Sequence, residues 1–383
     1  MNFSRYILIL ANIILLFTNC VTEFDPPSKG YENLLVVEAF LSDGEEPFEV
    51  KLSRSIPIDT SAFIPERGAS ISLSEETGEV HNLVESLSPG IYQFPGVINA
   101  QIGKSYQLHI QTNDGNQYES SSVTMRDTPE IDSVTYRYEE KPTADLKGVQ
   151  IYVNTHDDQN KTWYYRWEWD ETWDFYTPYR SDHVYENGQI LLREENINHC
   201  WKSGSSTSID VATSKNLTED VISKYPLLYV STNTDQLGIT YSINVKQYAL
   251  NEESYNYWTE LQKVTESLGT LFDPQPATVL GNIYNVNDDA EVVLGFFDAS
   301  TVTEQRIFIK RSDLPPIRTA NYYSYCIDST VNFNQIEEMI TAGYMLAYET
   351  LSDFGPFMVY VMSYPVCIDC TFAGTNVKPD FWK

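Results

Sequence analysis

From Trp163 to Tyr176 the chain reads Trp-Tyr-Tyr-Arg-Trp-Glu-Trp-Asp-Glu-Thr-Trp-Asp-Phe-Tyr. Read with a period of two, one face carries Trp163, Tyr165, Trp167, Trp169, Glu171, Trp173 and Phe175. The other carries Tyr164, Arg166, Glu168, Asp170 and Asp174. Only an extended strand sorts side chains in this way; helical spacing would scatter the rings around an axis. A strand this long needs partners along its length, so the surrounding chain must supply a sheet. The aromatic face has two readings. It is a core face under a long hairpin, the usual fate of such surfaces, or a platform of Trp163, Trp167, Trp169, Trp173 and Tyr176 that stacks a sugar or peptide.

The same alternation recurs before this stretch. Phe48, Val50 and Leu52, then Ala69, Ile71 and Leu73, then Tyr106, Leu108 and Ile110 each alternate with polar residues. Leu34–Phe40 and the segments near 79–84, 91–94 and 118–124 complete seven short strands with no helix between them. Asn113-Asp114-Gly115 predicts a type I′ hairpin turn, in which Asp-Gly takes positive φ. This pattern predicts a mainly β chain: an immunoglobulin-like sandwich over 34–127, then a larger β-rich, sandwich-like domain over 131–383. Within the latter, 177–225 reads as long polar loops with a turn at Asn187-Gly188. Tyr255, Trp258, Leu261 and Leu268 recur at helical spacing and predict a helix near 251–268, opened by Asn251 and closed by Gly269. A second short helix is expected over 334–342, ending at Gly343.

Residues 1–19 form a basic start at Arg5 and an apolar run over Ile7–Phe17, followed by Cys20. The run falls short of the about 20 residues that span a bilayer. It reads as a lipoprotein signal peptide, with Cys20 as the lipidated residue and 20–33 as a linker. The expected body is lipid-anchored, and Glu23 and Asp25 just after the cysteine resemble the surface-export signal of Bacteroidetes-type lipoproteins, which implies an outer-membrane protein facing the cell surface. The net charge of −29 disfavours nucleic acid as a partner. If Cys20 carries lipid, Cys200, Cys326, Cys367 and Cys370 remain, an even set that predicts two disulfides with three possible pairings. The Cys367-x-x-Cys370 pair is expected to reach outward to Cys200 and Cys326, because bridging so tight a loop is strained.

No P-loop, dinucleotide fingerprint, nucleophile elbow or His-Glu-x-x-His motif is present. The five histidines lack ligand spacing, and no metal or cofactor is expected. His156-Asp157-Asp158 reads as a turn, and Asn285-Val-Asn287-Asp288-Asp289 reads as a loop before it reads as a calcium site. Glu168, Asp170 and Asp174 lie near the tryptophans, where carboxylate pairs hydrolyse glycosides in other proteins.

Several landmarks together resemble the DUF4249 family of Bacteroidetes lipoproteins. They are Cys20, Leu34-Leu-Val-Val-Glu38, Val50-Lys-Leu-Ser-Arg-Ser55, Tyr164-Tyr-Arg-Trp167, Cys200-Trp201, Gly281-Asn-Ile283, Leu294-Gly-Phe-Phe297, and the ending Cys367-x-x-Cys370 to Lys378-Pro-Asp-Phe-Trp382. The resemblance implies an accessory of outer-membrane TonB-dependent transporters and supplies no catalytic residues. The expectation is therefore a non-catalytic envelope lipoprotein that captures a ligand, such as a glycan or peptide, or assists a transporter in nutrient uptake. The alternatives are a surface glycan or peptide hydrolase using the carboxylates near 163–176, and an envelope scaffold with no small ligand.

Overall fold

The computed structural model describes residues 33–44, 47–56, 63–141, 146–266, 278–317, 319 and 323–383. The signal segment, Cys20 and Gly269 lie outside the described residues. Among those described, no helix is long and apolar enough to cross a membrane.

The chain is mainly β. Its first strands are β1 (Leu35–Leu41), β2 (Glu49–Arg54), β3 (Ile64–Pro65), β4 (Ser70–Glu75), β5 (Val80–Glu85), β6 (Ile91–Gln93), β7 (Ser105–Gln111), β8 (Gln117–Ser120) and β9 (Val123–Thr124). The middle supplies β10 (Ile131–Lys141), β11 (Leu146–His156), β12 (Tyr164–Tyr176), β13 (His183–Glu186), β14 (Gln189–Leu192), β15 (His199–Ser205), β16 (Asp210–Thr213), β17 (Val221–Ser231) and β18 (Thr240–Ala249). Helix α1 (Glu252–Glu266) precedes β19 (Ile283–Asn285), β20 (Leu294–Ala299) and β21 (Val302–Lys310). The chain closes with β22 (Asp328–Val331), helix α2 (Ile336–Thr341), β23 (Met345–Leu351) and β24 (Met358–Ser363).

The first unit is one continuous sheet in the order β19-β8-β7-β4-β5-β6-β2-β1-β20. It turns from one layer to the other at β5, which pairs with β4 and then with β6. Alternate residues point inward, so Leu35, Val37, Leu52, Leu73, Leu108 and Phe297 fill a shared core. Two of its strands come from far along the chain: β20 lies parallel to β1 and β19 antiparallel to β8. Residues 283–299, read from the sequence as part of the second domain, thus complete the first unit.

The side chain of Asn282 bridges the two ends of this sheet. Its Nδ2 donates to the Phe297 carbonyl and its Oδ1 accepts from the Phe297 N–H, both at 2.8 Å. An amide presents one donor and one acceptor, as a strand residue does, so Asn282 substitutes for a backbone partner. Close approach is possible because no Cβ intervenes. One added at Gly281 would lie 1.5 Å from the Gly295 carbonyl oxygen, and one at Gly295 would lie 1.8 Å from that of Val37. Gly295 also sits at φ +106°, which favours glycine.

In the second unit, sheet β10-β11-β17 packs on sheet β15-β12-β18-β21. Val149, Ile151 and Val153 meet Tyr165, Trp167, Trp169, Ile243 and Val245 between them. A small sheet β22-β24-β23 completes the chain, and Tyr185 and Ile190 of the β13-β14 hairpin pack on its Val331, Leu346 and Met362. Disulfides join Cys200 to Cys370 and Cys326 to Cys367. The two cysteines of the C-x-x-C therefore reach outward, as the strain argument anticipates.

Two local expectations change. The stretch 177–225 holds β13 to β16 and the start of β17 rather than long loops. Its longest strand conceals its period: β17 pairs with β11 through two register shifts and contains Pro226. Proline is tolerated there because β17 is an edge strand. At Asn113-Asp114-Gly115 only Gly115 has positive φ, and its N–H donates to Thr112 O at 2.9 Å, so the turn is not type I′. That pattern occurs instead at Asn187-Gly188, where φ is 52° and 78°. Helix α1 begins as read, with Asn251 Oδ1 accepting from Ser254 N at 2.6 Å.

Candidate functional site

A groove of about 1530 Å³ separates the two units. Its floor is the polar face of β12 and of the strands beside it. The register places Arg166 opposite Tyr248 and Glu168 opposite Lys246, and continues to Val302 and Glu304 on β21. The facing wall is the outer face of β1 and β20, where Val36, Glu38 and Phe40 sit opposite Leu294, Phe296 and Asp298. Helix α1 closes one side with Tyr257, Trp258, Leu261 and Val264. Strand alternation creates the groove: residues of the opposite parity build the two cores, and these are left between them.

Arg166 organises the floor. Its guanidinium carbon lies 4.7 Å from the Tyr248 ring centre and 4.2 Å from that of Trp258. Its Nη2 is 3.0 Å from Glu168 Oε1. The Tyr248 hydroxyl donates to the other Glu168 oxygen at 2.7 Å. Burial and this carboxylate together push the Tyr248 pKa up, so the phenol stays protonated as a donor. Phe40 meets Tyr248 edge-on at 5.0 Å, and Tyr257 lies 4.9 Å from Phe296. These contacts attach the helix and both units to one cationic side chain.

Several carboxylates at the groove are engaged within the protein. Asp170 lies 3.1 Å from Lys246 Nζ, and Glu304 accepts from Asn244 at 2.7 Å. Asp298 is buried behind the groove wall, with Arg126 Nη1 at 3.1 Å. Desolvation raises its pKa, and Arg126 counters part of that effect. Among the described lining residues there is neither histidine nor cysteine. The arrangement offers stacking surfaces and charged edges to a ligand.

None of Trp163, Trp167, Trp169, Trp173 and Tyr176 lines the groove. Trp167 and Trp169 are core residues, and the Trp167 indole donates to Gln247 Oε1 at 2.9 Å. Trp173 packs half-buried against the same core, while Trp163 packs near Tyr164 and Trp258 in a separate cluster. Tyr176 is half-exposed at the far end of β12 and stacks on His199 at 4.2 Å. The five do not form a joint platform, because the aromatic face of β12 packs against sheet β10-β11-β17. Asp174 is buried and held by His199 at 2.9 Å and Thr240 N at 2.8 Å.

Two turn readings agree with the local geometry. Asp157 accepts from the backbone N–H groups of Gln159, Lys161 and Thr162, which hold its pKa down. Asn285 Oδ1 accepts from the N–H groups of Asn287 and Asp288. The groove residues Phe40, Arg166, Tyr248, Tyr257, Trp258 and Phe296 escaped the sequence reading. Their signal was present, since Arg166 and Glu168 occupy the polar face of β12 and Trp258 the helix stripe. What the sequence lacked was the knowledge that these faces meet.

No curated protein matches this chain. The profile of the domain of unknown function DUF4249 matches residues 21–306. That span contains both faces of the groove and the Asn282 closure, and it stops within β21, before the small C-terminal sheet. The chain belongs to the DUF4249 family.

Proposed function

We propose that this is a non-catalytic, lipid-anchored protein of the outer membrane that captures a ligand in the groove between its two units. In this role it serves a TonB-dependent transporter in nutrient uptake. The observation that carries the reading is the groove itself, with aromatic surface on β1, β18, β20 and α1 around an already neutralised Arg166–Glu168 pair. Its volume of about 1530 Å³ exceeds the roughly 300–1,000 Å³ of ordinary small-molecule pockets. A glycan chain or an extended peptide suits that size better than a single metabolite. Aromatic rings flanked by charge bind such ligands by stacking and edge hydrogen bonds. Of the acids that a hydrolase reading would use, Glu168 pairs with Arg166 on its own strand, Asp170 with Lys246 across the sheet, and Asp174 with His199.

The test is affinity purification of the tagged, lipidated protein from its own outer membrane, with mass spectrometry of what accompanies it. A stoichiometric TonB-dependent transporter supports the uptake role, and recovery of the protein alone counts against it. Glycan and peptide arrays probed with the isolated body test the groove separately. Trp258→Ala and Phe40→Ala are expected to weaken any ligand found there. Cys20→Ala is expected to move the protein from the membrane pellet to the soluble fraction; retention in the pellet refutes the anchor.

A further inference from the structure

We infer that the β4–β5 hairpin of the first unit carries a binding site for a divalent transition-metal ion of the zinc type, formed by Glu75, Glu79 and His81. The groove reading plays no part in this argument. Glu75 and Glu79 flank the turn and exchange a backbone hydrogen bond at 2.9 Å, from Glu75 N to Glu79 O. His81 stands opposite Leu73 in the register. With side chains alternating, Glu75, Glu79 and His81 share the face that carries Leu73 into the core.

The three ligand atoms converge within 4.8 Å of one another. His81 Nε2 lies 3.0 Å from Glu75 Oε1 and 4.0 Å from Glu79 Oε1. Donors bound to zinc at about 2.1 Å and a tetrahedral angle stand roughly 3.4 Å apart. The observed separations bracket that value, and a small shift of the exposed Glu79 side chain reaches it. The other two ligands are already held. The His81 ring packs edge-on to Phe94 at 5.1 Å, and the second Glu75 oxygen accepts from Thr77 Oγ1 at 3.2 Å. Side-chain exposure is 10% for His81 and 14% for Glu75, against 67% for Glu79. Two supported ligands and one adjustable ligand leave a fourth position for water.

The donor set selects the metal class. An imidazole nitrogen with two carboxylates suits zinc and its neighbours, whereas calcium and magnesium prefer oxygen alone. The sequence reading judged histidine spacing on its own and passed over Glu75-x-x-x-Glu79-x-His81, a pattern whose ligands meet only when the chain folds back at Gly78.

The experiment uses untagged protein stripped with EDTA and titrated calorimetrically with zinc chloride, with cobalt(II) absorption as a second readout. One equivalent is expected to bind, with cobalt bands of a nitrogen–oxygen site and a raised Tm. Glu79→Gln alters a side chain outside the core, so folding is preserved. It is expected to weaken binding at least about tenfold, the loss that follows removal of even a supporting residue. His81→Gln is expected to abolish the cobalt bands. If wild-type protein takes up no zinc, or if both variants bind it as wild type does, the assignment is overturned and the cluster is a simple ion pair.

Discussion

Removing the amide of Asn282 tests how the first unit is closed. Asn282→Ala deletes both 2.8 Å hydrogen bonds to Phe297 and leaves a buried N–H and a buried carbonyl without partners. Each unsatisfied group costs about 1–3 kcal/mol, so the expected loss is roughly 2–6 kcal/mol. A domain has only about 5–15 kcal/mol in total, which makes this a large fraction. With a urea m-value of about 2 kcal/mol/M, the midpoint falls by on the order of 1–3 M. All seven tryptophans lie between Trp163 and Trp382, outside the first unit, so their fluorescence reports the remainder of the chain. Hydrogen exchange of peptides covering 35–41 and 294–299 therefore supplies the local readout, and both are expected to lose protection. Asn282→Asp keeps the acceptor toward Phe297 N–H but faces the carbonyl with a second acceptor. It is expected to be destabilised at neutral pH and partly rescued in acid, where a protonated carboxyl again donates. If Asn282→Ala leaves the midpoint and the exchange of both peptides unchanged, the amide is not what closes the sheet.

Three further perturbations follow from the geometry. Arg166→Ala removes two cation–π contacts and the Glu168 ion pair, so hydrogen exchange in 252–266 is expected to rise by roughly tenfold to a hundredfold, with Arg166→Lys intermediate; unchanged exchange refutes the clamp. Reduction should lower the Tm of the C-terminal region, since chain-entropy estimates for sequence separations of 170 and 41 residues are about 5 and about 4 kcal/mol taken singly; thermal scans with and without reductant read this directly. Burial raises the Glu171 carboxyl above its ordinary 4.5, while hydrogen bonds from Tyr241 and Gln236 pull it back. The native state then keeps a proton that the unfolded chain has lost, so this group's contribution to stability falls as pH climbs from 4.5 through the native value. Glu171→Gln is expected to flatten that part of the Tm–pH curve, and an unaltered slope refutes the assignment.

Much of the local structure was legible because it rests on short-range rules. The alternation in 48–52, 69–73 and 106–110 matches β2, β4 and β7. Asn251 opens α1 because its short side chain reaches a first-turn amide. The failures share a cause. Strands β13 to β17 are short, bulged or interrupted by proline, so their periods are too brief to register. Nothing local marks Gly281, Asn282 and Gly295 as the residues that serve a contact between the ends of a sheet. The aromatic face of β12 carried both a core reading and a platform reading, because composition cannot say which face is covered, and for Trp167 and Trp169 the core reading holds. The groove residues were assigned to strands and a helix without any hint that they face one another.

The sequence by itself determined that this chain is a mainly β protein with a capped helix, and that it resembles the DUF4249 family; it favoured outward-reaching C-x-x-C cysteines but left the pairing to the structure. The fold class, the helix and the cysteine preference depend on side-chain periodicity, backbone preferences and the strain of a tight loop, all of which act over a few residues, whereas the resemblance rests on the order of landmarks from Cys20 to Trp382. Only the tertiary structure decided that β19 and β20 complete the first unit, that Trp167 and Trp169 are core, and that Arg166 meets Tyr248 and Trp258 beside a groove. Pairings such as β1 with β20 join residues more than two hundred positions apart, and their free energy comes from burying faces that no local pattern identifies as partners.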